Sequence, residues 1–334
     1  MSRVAITNLY SNTVYGMHDQ RSIETSCFMS LLEELGHEVN LIGDTGGVSK
    51  KYDFYVKWNK IDLNDYEKIF IQLSPTNFFG GNASPRAHHY VSAFPEYRGK
   101  IYFLLNDPSI LPTNPAIELS RFQDRSKYVE DWKRILDEAI YVFPGKDVSK
   151  FVNHVPKNVL YFDWFSYIMK KQLSKRSEPL SPSDKKYDVC YFGDNRRKYR
   201  DQLVRKYMTP ITKNLLIGYE SDIEATKVDK QNHLDMMGMI DSSRTSLVIG
   251  DEEHNGNVKT FRFYEVLASD SLAAIAIEYD PNREYIEDPV LRDILYVENA
   301  EDVKNLAEMW SKELIERQHR ELITQYSKFK LHEI

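Results

Sequence analysis

The feature that most constrains this chain is a recurring unit. A short apolar run halts at a glycine, asparagine or aspartate, and a polar loop and a helical stretch follow. Arg3 to Asn8 reads as a short buried strand, a helix spans about Ile23 to Leu35, and His37 to Ile42 is the next strand. Gly36 is placed to stop that helix, because glycine tolerates the left-handed conformation a helix C-terminus needs. Strand–helix–strand is the opening of a parallel, doubly wound sheet. Tyr66 to Leu73, Lys100 to Leu105, Ile140 to Phe143 and Val159 to Phe162 continue the strands, with a helix around Tyr128 to Ala139.

Lys, Ser, Pro and Glu dominate from Lys170 to Lys186, which reads as a domain linker. The pattern then restarts. Tyr187 to Phe192, Leu215 to Ile217, Leu247 to Ile249 and Leu272 to Ile277 are strands, Thr260 to Ala268 is a helix, and Ala300 to Phe329 is helical and charged. The expected organisation is a Rossmann-like domain over 1–170, a linker over 171–186, and a second Rossmann-like domain over 187–310. A C-terminal helix over 311–334 is expected to pack back toward the first domain. A length of 334 residues suits two domains, and 42% hydrophobic content supplies two cores.

Composition excludes some functions. Two cysteines, Cys27 and Cys190, make neither a disulfide framework nor a metal cluster, and each reads as a buried small hydrophobe. The start lacks a signal-peptide core and no run reaches membrane-span length, so a cytoplasmic protein is expected. The formal net charge of −6 argues mildly against nucleic acid, although a basic face can exist on an acidic protein. There is no G-x-G-x-x-G and no P-loop, which counts against nicotinamide and P-loop chemistry.

In open parallel sheets ligands bind beyond the carboxyl ends of the strands, so residues there carry the candidate chemistry. Gly193-Asp194-Asn195-Arg196-Arg197-Lys198-Tyr199-Arg200 follows one strand. Glycine admits a ligand close to the backbone, and Arg196 and Arg200 would share a helix face for bidentate contact with phosphate. A solvated helix start is the competing reading. Gly250-Asp251 through Asn255-Gly256-Asn257 to Arg262 and Glu265 follows another strand, with arginine suited to a diphosphate and glutamate to ribose hydroxyls. A surface Arg–Glu pair is its alternative. Asp107 ends a third strand and can serve as a general base, or simply form an Asp-Pro turn with Pro108. Asn77-Phe78-Phe79-Gly80-Gly81 places two aromatics on a glycine-hinged loop that either probes a base or caps the sheet.

These residues resemble the DNA β-glucosyltransferase family of T-even bacteriophages, nearly end to end. The strongest stretch is Leu247-Val248-Ile249-Gly250-Asp251, Asn255-Gly256-Asn257, Thr260-Phe261-Arg262-Phe263-Tyr264-Glu265 and Ala268-Ser269-Asp270. Ser22-Ile23-Glu24-Thr25, Asn77 to Gly81 and Lys100-Ile101-Tyr102 also match. The resemblance implies the GT-B fold, two Rossmann-like α/β domains with parallel sheets facing across a central cleft. It implies an inverting transfer of a sugar from a UDP-sugar to 5-hydroxymethylcytosine in double-stranded phage DNA, with the base flipped out.

By the same resemblance Asp107 is the catalytic base and Glu24 lies near the donor sugar. Arg196, Arg200 and Arg262 hold the diphosphate, Glu265 the ribose, Gly193 and Gly218 approach the nucleotide, and Lys230 and Gln231 pass near the uracil. Asn77 and Phe79 meet the DNA. Arg86, with Lys170, Lys171, Lys175 and Arg176, is a candidate for phosphate-backbone contact. Asp194 stands where the family has a serine, and the donor surroundings at 15–21 and 229–237 also differ. The sugar is therefore glucose or a pentose such as arabinose. A divalent cation, Mg or Mn, can assist the diphosphate, with no metal site built by the protein itself. The chain is expected to act as a monomer. A GT-B enzyme with a non-DNA acceptor is the alternative.

Overall fold

The computed structural model describes residues 2–8, 28–43, 55–57, 62–72, 96–104, 134–135, 137–150, 155–174, 181–193, 198–229 and 233–327. The chain divides into two compact units, with Met1–Asp163 in the first and Trp164–Lys330 in the second.

The first unit holds a seven-stranded sheet in the order β3-β2-β1-β4-β5-β6-β7, every neighbouring pair parallel. The strands are β1 (Arg3–Asn8), β2 (Glu38–Gly43), β3 (Tyr55–Lys57), β4 (Lys68–Gln72), β5 (Lys100–Leu104), β6 (Ile140–Phe143) and β7 (Val159–Tyr161). Their centres are continuous apolar runs, Val4-Ala5-Ile6, Ile69-Phe70-Ile71 and Tyr102-Phe103-Leu104, all buried. Strands covered on both faces need such runs rather than alternation. Residues 28–34 are helical. Gly36 ends that helix at φ +86°, with its N–H donating to Glu33 O at 2.9 Å and the His37 N–H to Leu32 O at 3.1 Å. Those two bonds form the double C-terminal cap that glycine favours.

The second unit holds a six-stranded parallel sheet in the order β10-β9-β8-β11-β12-β13. These are β8 (Tyr187–Phe192), β9 (Asn214–Ile217), β10 (Thr226–Val228), β11 (Ser243–Val248), β12 (Leu272–Ala276) and β13 (Tyr296–Val297). β12 is buried at all of its positions, as a central strand between two layers must be. Cys190 sits in β8 with no exposed surface, and burial pushes its thiol up to about 12. Cys27 lies outside the described residues.

Two readings change shape here. The helix Phe165–Leu173 runs into the stretch that sequence composition marks as linker, and it packs on the helices Phe261–Leu267 and Lys312–Ser327 of the second unit. Phe165, Tyr167 and Met169 on this helix are buried and Lys170 is half-buried, so the lysines hide an amphipathic pattern. The C-terminal stretch is two helices, Ala300–Glu308 and Lys312–Ser327. Between them Trp310 turns inward and donates its indole N–H to Asp270 O at 2.8 Å. The last helix is tied to the unit by buried Gln318, whose Oε1 accepts from Ala273 N at 2.9 Å and whose Nε2 donates to Ser271 O at 3.0 Å. Unmade, such buried backbone bonds would cost about 1–3 kcal/mol each.

Candidate functional site

Each sheet has one place where the strand order reverses, between β1 and β4 in the first and between β8 and β11 in the second. Crossover helices leave to opposite sides there and open a crevice at the carboxyl ends. In the first sheet those ends lead into 9–27 and 73–95, which hold Glu24, Asn77, Phe79 and Arg86. β5 ends at Leu104, just before Asp107. All five residues lie outside the described residues, as do Asp194, Arg196, Lys230 and Gln231. The described part of the second unit's switch point brings together Gly193, Arg200, Asp251 and Arg262.

β8 ends at Phe192, and Gly193 follows, its N–H donating to Ile217 O at 3.2 Å. A Cβ at Gly193 would lie 2.6 Å from the Tyr191 hydroxyl and 2.9 Å from Arg262 Nη1. Only glycine lets the chain pass this close. The Arg262 guanidinium lies 4.6 Å from the centre of the Phe192 ring and 5.7 Å from that of Tyr191, within cation–π range. Among the described residues its Nε has no hydrogen-bond partner. Arg262 enters the site from the helix Phe261–Leu267, whose first turn is capped by Thr260 Oγ1 accepting from Phe263 N at 3.4 Å. Thr260 is itself set by Tyr279, whose hydroxyl accepts from Thr260 N at 2.7 Å and donates to Val258 O at 2.8 Å.

Arg200 stands in the first turn of the helix Lys198–Met208 and donates from Nη2 to Asp251 Oδ2 at 2.7 Å. The two side chains keep 15% and 6% of their exposure, so this ion pair is largely out of water. Asp251 follows Gly250 at the end of β11, and its N–H donates to His254 Nδ1 at 3.1 Å. A Cβ at Gly250 would meet Tyr279 Cδ2 at 2.8 Å and His254 Cβ at 2.9 Å, so the strand end is packed to backbone contact. Arg200 and Asp251 lie 51 residues apart, and no spacing rule in the sequence links them.

Tyr191 is fully buried between the two arginines. Burial pushes its hydroxyl up, while Arg262 and then Arg200 pull it down. Tyr219 meets the Tyr191 ring edge-on at 5.1 Å and donates its hydroxyl to Asp201 Oδ1 at 2.9 Å. Gly218 ends β9 at φ +63°, a left-handed conformation that favours glycine, and donates to Val228 O at 2.8 Å. Glu265 is described but buried, with 1% exposure, deeper than Arg262 on the same helix. Asn255 Nδ2 donates to Tyr199 Oη at 2.9 Å, which ties the loop after β11 to the helix after β8.

The result is a pair of arginines at the carboxyl ends of two neighbouring strands, with glycines clearing the backbone beside them. Such an arrangement suits a multiply charged anion such as a diphosphate. Among the described residues no group of three His, Cys, Asp or Glu is placed to hold a metal ion, and the Asp251 carboxylate is engaged by Arg200.

The model of the bacteriophage T4 beta-glucosyltransferase family matches residues 2–167. The DNA beta-glucosyltransferase of Enterobacteria phage T4 is 24% identical over 300 residues, which cover 86% of this chain and 84% of that protein. The structure of T4 phage BGT in complex with UDP and Mn2+ has a TM-score of 0.75 at 22% identity, over 98% of this chain and 96% of that one. T4 phage BGT in complex with its UDP-glucose substrate gives 0.70 at 20% identity, over 98% and 96%. An alpha-glucosyltransferase in complex with UDP and a 13-mer DNA gives 0.58 at 11% identity, over 97% and 94%. The fold is GT-B, with one Rossmann-like parallel sheet in each unit.

Proposed function

We propose that this chain, which is similar in sequence and in fold to the bacteriophage T4 β-glucosyltransferases, is a UDP-sugar-dependent DNA glycosyltransferase. The observation that carries the donor half is the Arg200 and Arg262 pair at the second sheet's switch point, with Gly193 beneath it. The acceptor half rests on the family: the T4 relative is named a DNA glucosyltransferase, and a second structural neighbour was solved with DNA.

In the proposed reaction the acceptor is 5-hydroxymethylcytosine in double-stranded DNA, flipped out because a stacked base is out of reach. Asp107 accepts the hydroxymethyl proton. The oxygen attacks the anomeric carbon, the bond from that carbon to the UDP oxygen breaks, and the configuration inverts. Arg196, Arg200 and Arg262 take up the negative charge that develops on departing UDP, the kind of fixed electrostatic stabilisation that contributes most to many enzymes. Glu265 accepts from the ribose, Gly193 and Gly218 border the nucleotide, Lys230 and Gln231 pass by the uracil, and Glu24 borders the sugar. Asn77 and Phe79 meet the DNA at the flipped site and Arg86 contacts its backbone.

Asp194 would oppose a bare diphosphate, and it suits a sugar hydroxyl better. That is the reason to keep a pentose such as arabinose beside glucose as the donor sugar. The T4 structure with UDP and Mn2+ raises a divalent cation. Among the described residues no group of three His, Cys, Asp or Glu is placed to hold one, and no step above depends on it. Among the described residues no helix is long and apolar enough to cross a membrane. We place the enzyme in the host cytoplasm during infection, acting as a monomer.

The test is mass spectrometry of nucleosides from hydroxymethylcytosine-containing DNA, incubated with the protein and UDP-glucose or UDP-arabinose in separate tubes. A hexose or pentose mass gained in one tube supports the reading and names the donor. No gain in either, with UDP bound, removes hydroxymethylated DNA as acceptor and leaves a GT-B transferase acting on another molecule.

A further inference from the structure

The first sheet carries a concavity at the other end of its strands, at the amino ends of β5, β6 and β7. Its volume is about 750 Å³. That lies within the range of roughly 300–1,000 Å³ usual for small-molecule sites. Strand pairing builds it. Tyr102 is in register with Ile140, and Tyr141 with Val159, so the residues that start these three strands stand side by side. At those starts, or two residues before them, stand Lys100, Glu138 and Lys157, and Arg98 and Arg134 also line the pocket. Four cations therefore line the pocket against one carboxylate. Arg134 Nη1 engages that carboxylate, Glu138 Oε2, at 3.1 Å. Lys100 and Lys157 are exposed, and among the described residues neither has an acidic partner within ion-pair range.

The wall is built, not incidental. Tyr97 folds beneath Gly99 and donates its hydroxyl to Tyr66 O at 3.0 Å. A Cβ at Gly99 would lie 2.7 Å from Glu67 O and would overlap the Tyr97 hydroxyl outright. Burial, and then Glu67, push that hydroxyl up, so it stays a neutral donor and a fixed wall. Ile101, Ile140 and Leu160 supply an apolar floor. A duplex backbone meets a surface and cannot fill a concave floor of this kind, whereas a small molecule with an anionic end and an apolar body can do both.

We propose that this pocket binds a small phosphomonoester, its phosphate held by Lys100 and Lys157 at the rim and its apolar body seated over Ile101, Ile140 and Leu160. The site is independent of the donor reading and uses none of its residues.

The test is calorimetric titration of the full chain with phenyl phosphate, with benzyl alcohol and a short DNA duplex as parallel probes. The expected result is saturable binding of phenyl phosphate alone. K100A/K157A should weaken it at least about tenfold, the scale of losing charge-assisted hydrogen bonds. K100R/K157R should keep it, and circular dichroism should show every variant folded. Since both lysines are exposed, the alanine variant removes charge without opening the core. The proposal is overturned by no saturable binding, by equal affinity in K100A/K157A, by equal binding of benzyl alcohol, or by binding of the duplex without phenyl phosphate. Because the variants locate the site, the outcome is the same whether or not UDP occupies the second unit.

Discussion

Replacing Gly193 by alanine is the most informative single change in the second unit. The new methyl group would arrive 2.6 Å from the Tyr191 hydroxyl and 2.9 Å from Arg262 Nη1, both inside contact distance. Tyr191 has no room to retreat, being fully buried with Tyr219 edge-on at 5.1 Å. The guanidinium of Arg262 is the far end of a flexible side chain, so it moves first. Overpacking of this kind costs about 1–3 kcal/mol of stability. If Arg262 is displaced from a diphosphate, a charge-assisted contact worth about 1.5–3 kcal/mol is lost as well, about 10- to 150-fold in UDP affinity. The assay is calorimetric UDP titration beside urea denaturation, on G193A, R262A and the double variant. The two losses should not add, because the alanine acts through Arg262. Tyr191→Phe removes the closest atom and should restore part of the stability lost in G193A. Wild-type affinity in G193A, or fully additive losses with R262A, would refute the reasoning.

Asp107→Asn should lower turnover by about a hundredfold to ten-thousandfold, the usual worth of a general base, while UDP affinity holds; an unchanged rate would remove Asp107 from the chemistry. Asp251→Ala removes the carboxylate that Arg200 meets at 2.7 Å and should destabilise the fold by about 3–5 kcal/mol in denaturant titration. A loss below 1 kcal/mol, roughly the value of a surface pair, would mean the pair is hydrated in solution. Cys190, with its thiol pushed up to about 12, should resist alkylation in the folded protein and react only on unfolding. Its thiolate fraction at pH 8 is on the order of 10⁻⁴. Peptide-level mass spectrometry after iodoacetamide reads this directly, and native labelling of Cys190 would contradict the packing.

Much of the scaffold was legible because buried parallel strands leave long apolar runs with abrupt ends. The bounds of β1, β6 and β8 read from sequence coincide with those found. β3, β10 and β13 are two- or three-residue strands at sheet edges and lack, within their bounds, the apolar run that marked β7, a three-residue edge strand. The helix Phe165–Leu173 was masked by its lysines, since composition averages over the faces that periodicity separates. The placement of Gly193 directly after a strand and of Arg262 at a helix start could be read from the sequence. The Arg200–Asp251 pair could not, because it depends on which strands become neighbours. Asp107, Glu24 and the DNA-facing residues remain readings from sequence and family.

That dependence has a consequence for how the second unit assembles its candidate site. Between β8 and β11 the chain makes β9, β10 and two helices, so the loop that their pairing must close is long. Contacts distant in sequence form slowly, since the chain loses loop entropy before the pairing returns anything. The two arginines therefore converge only when the sheet is complete. A refolding experiment followed by nucleotide affinity should see binding appear last, after helical signal and after β8 joins β9. If the proposed nucleotide binds there, it would bridge a junction between strands far apart in the chain, and its affinity would report on that pairing.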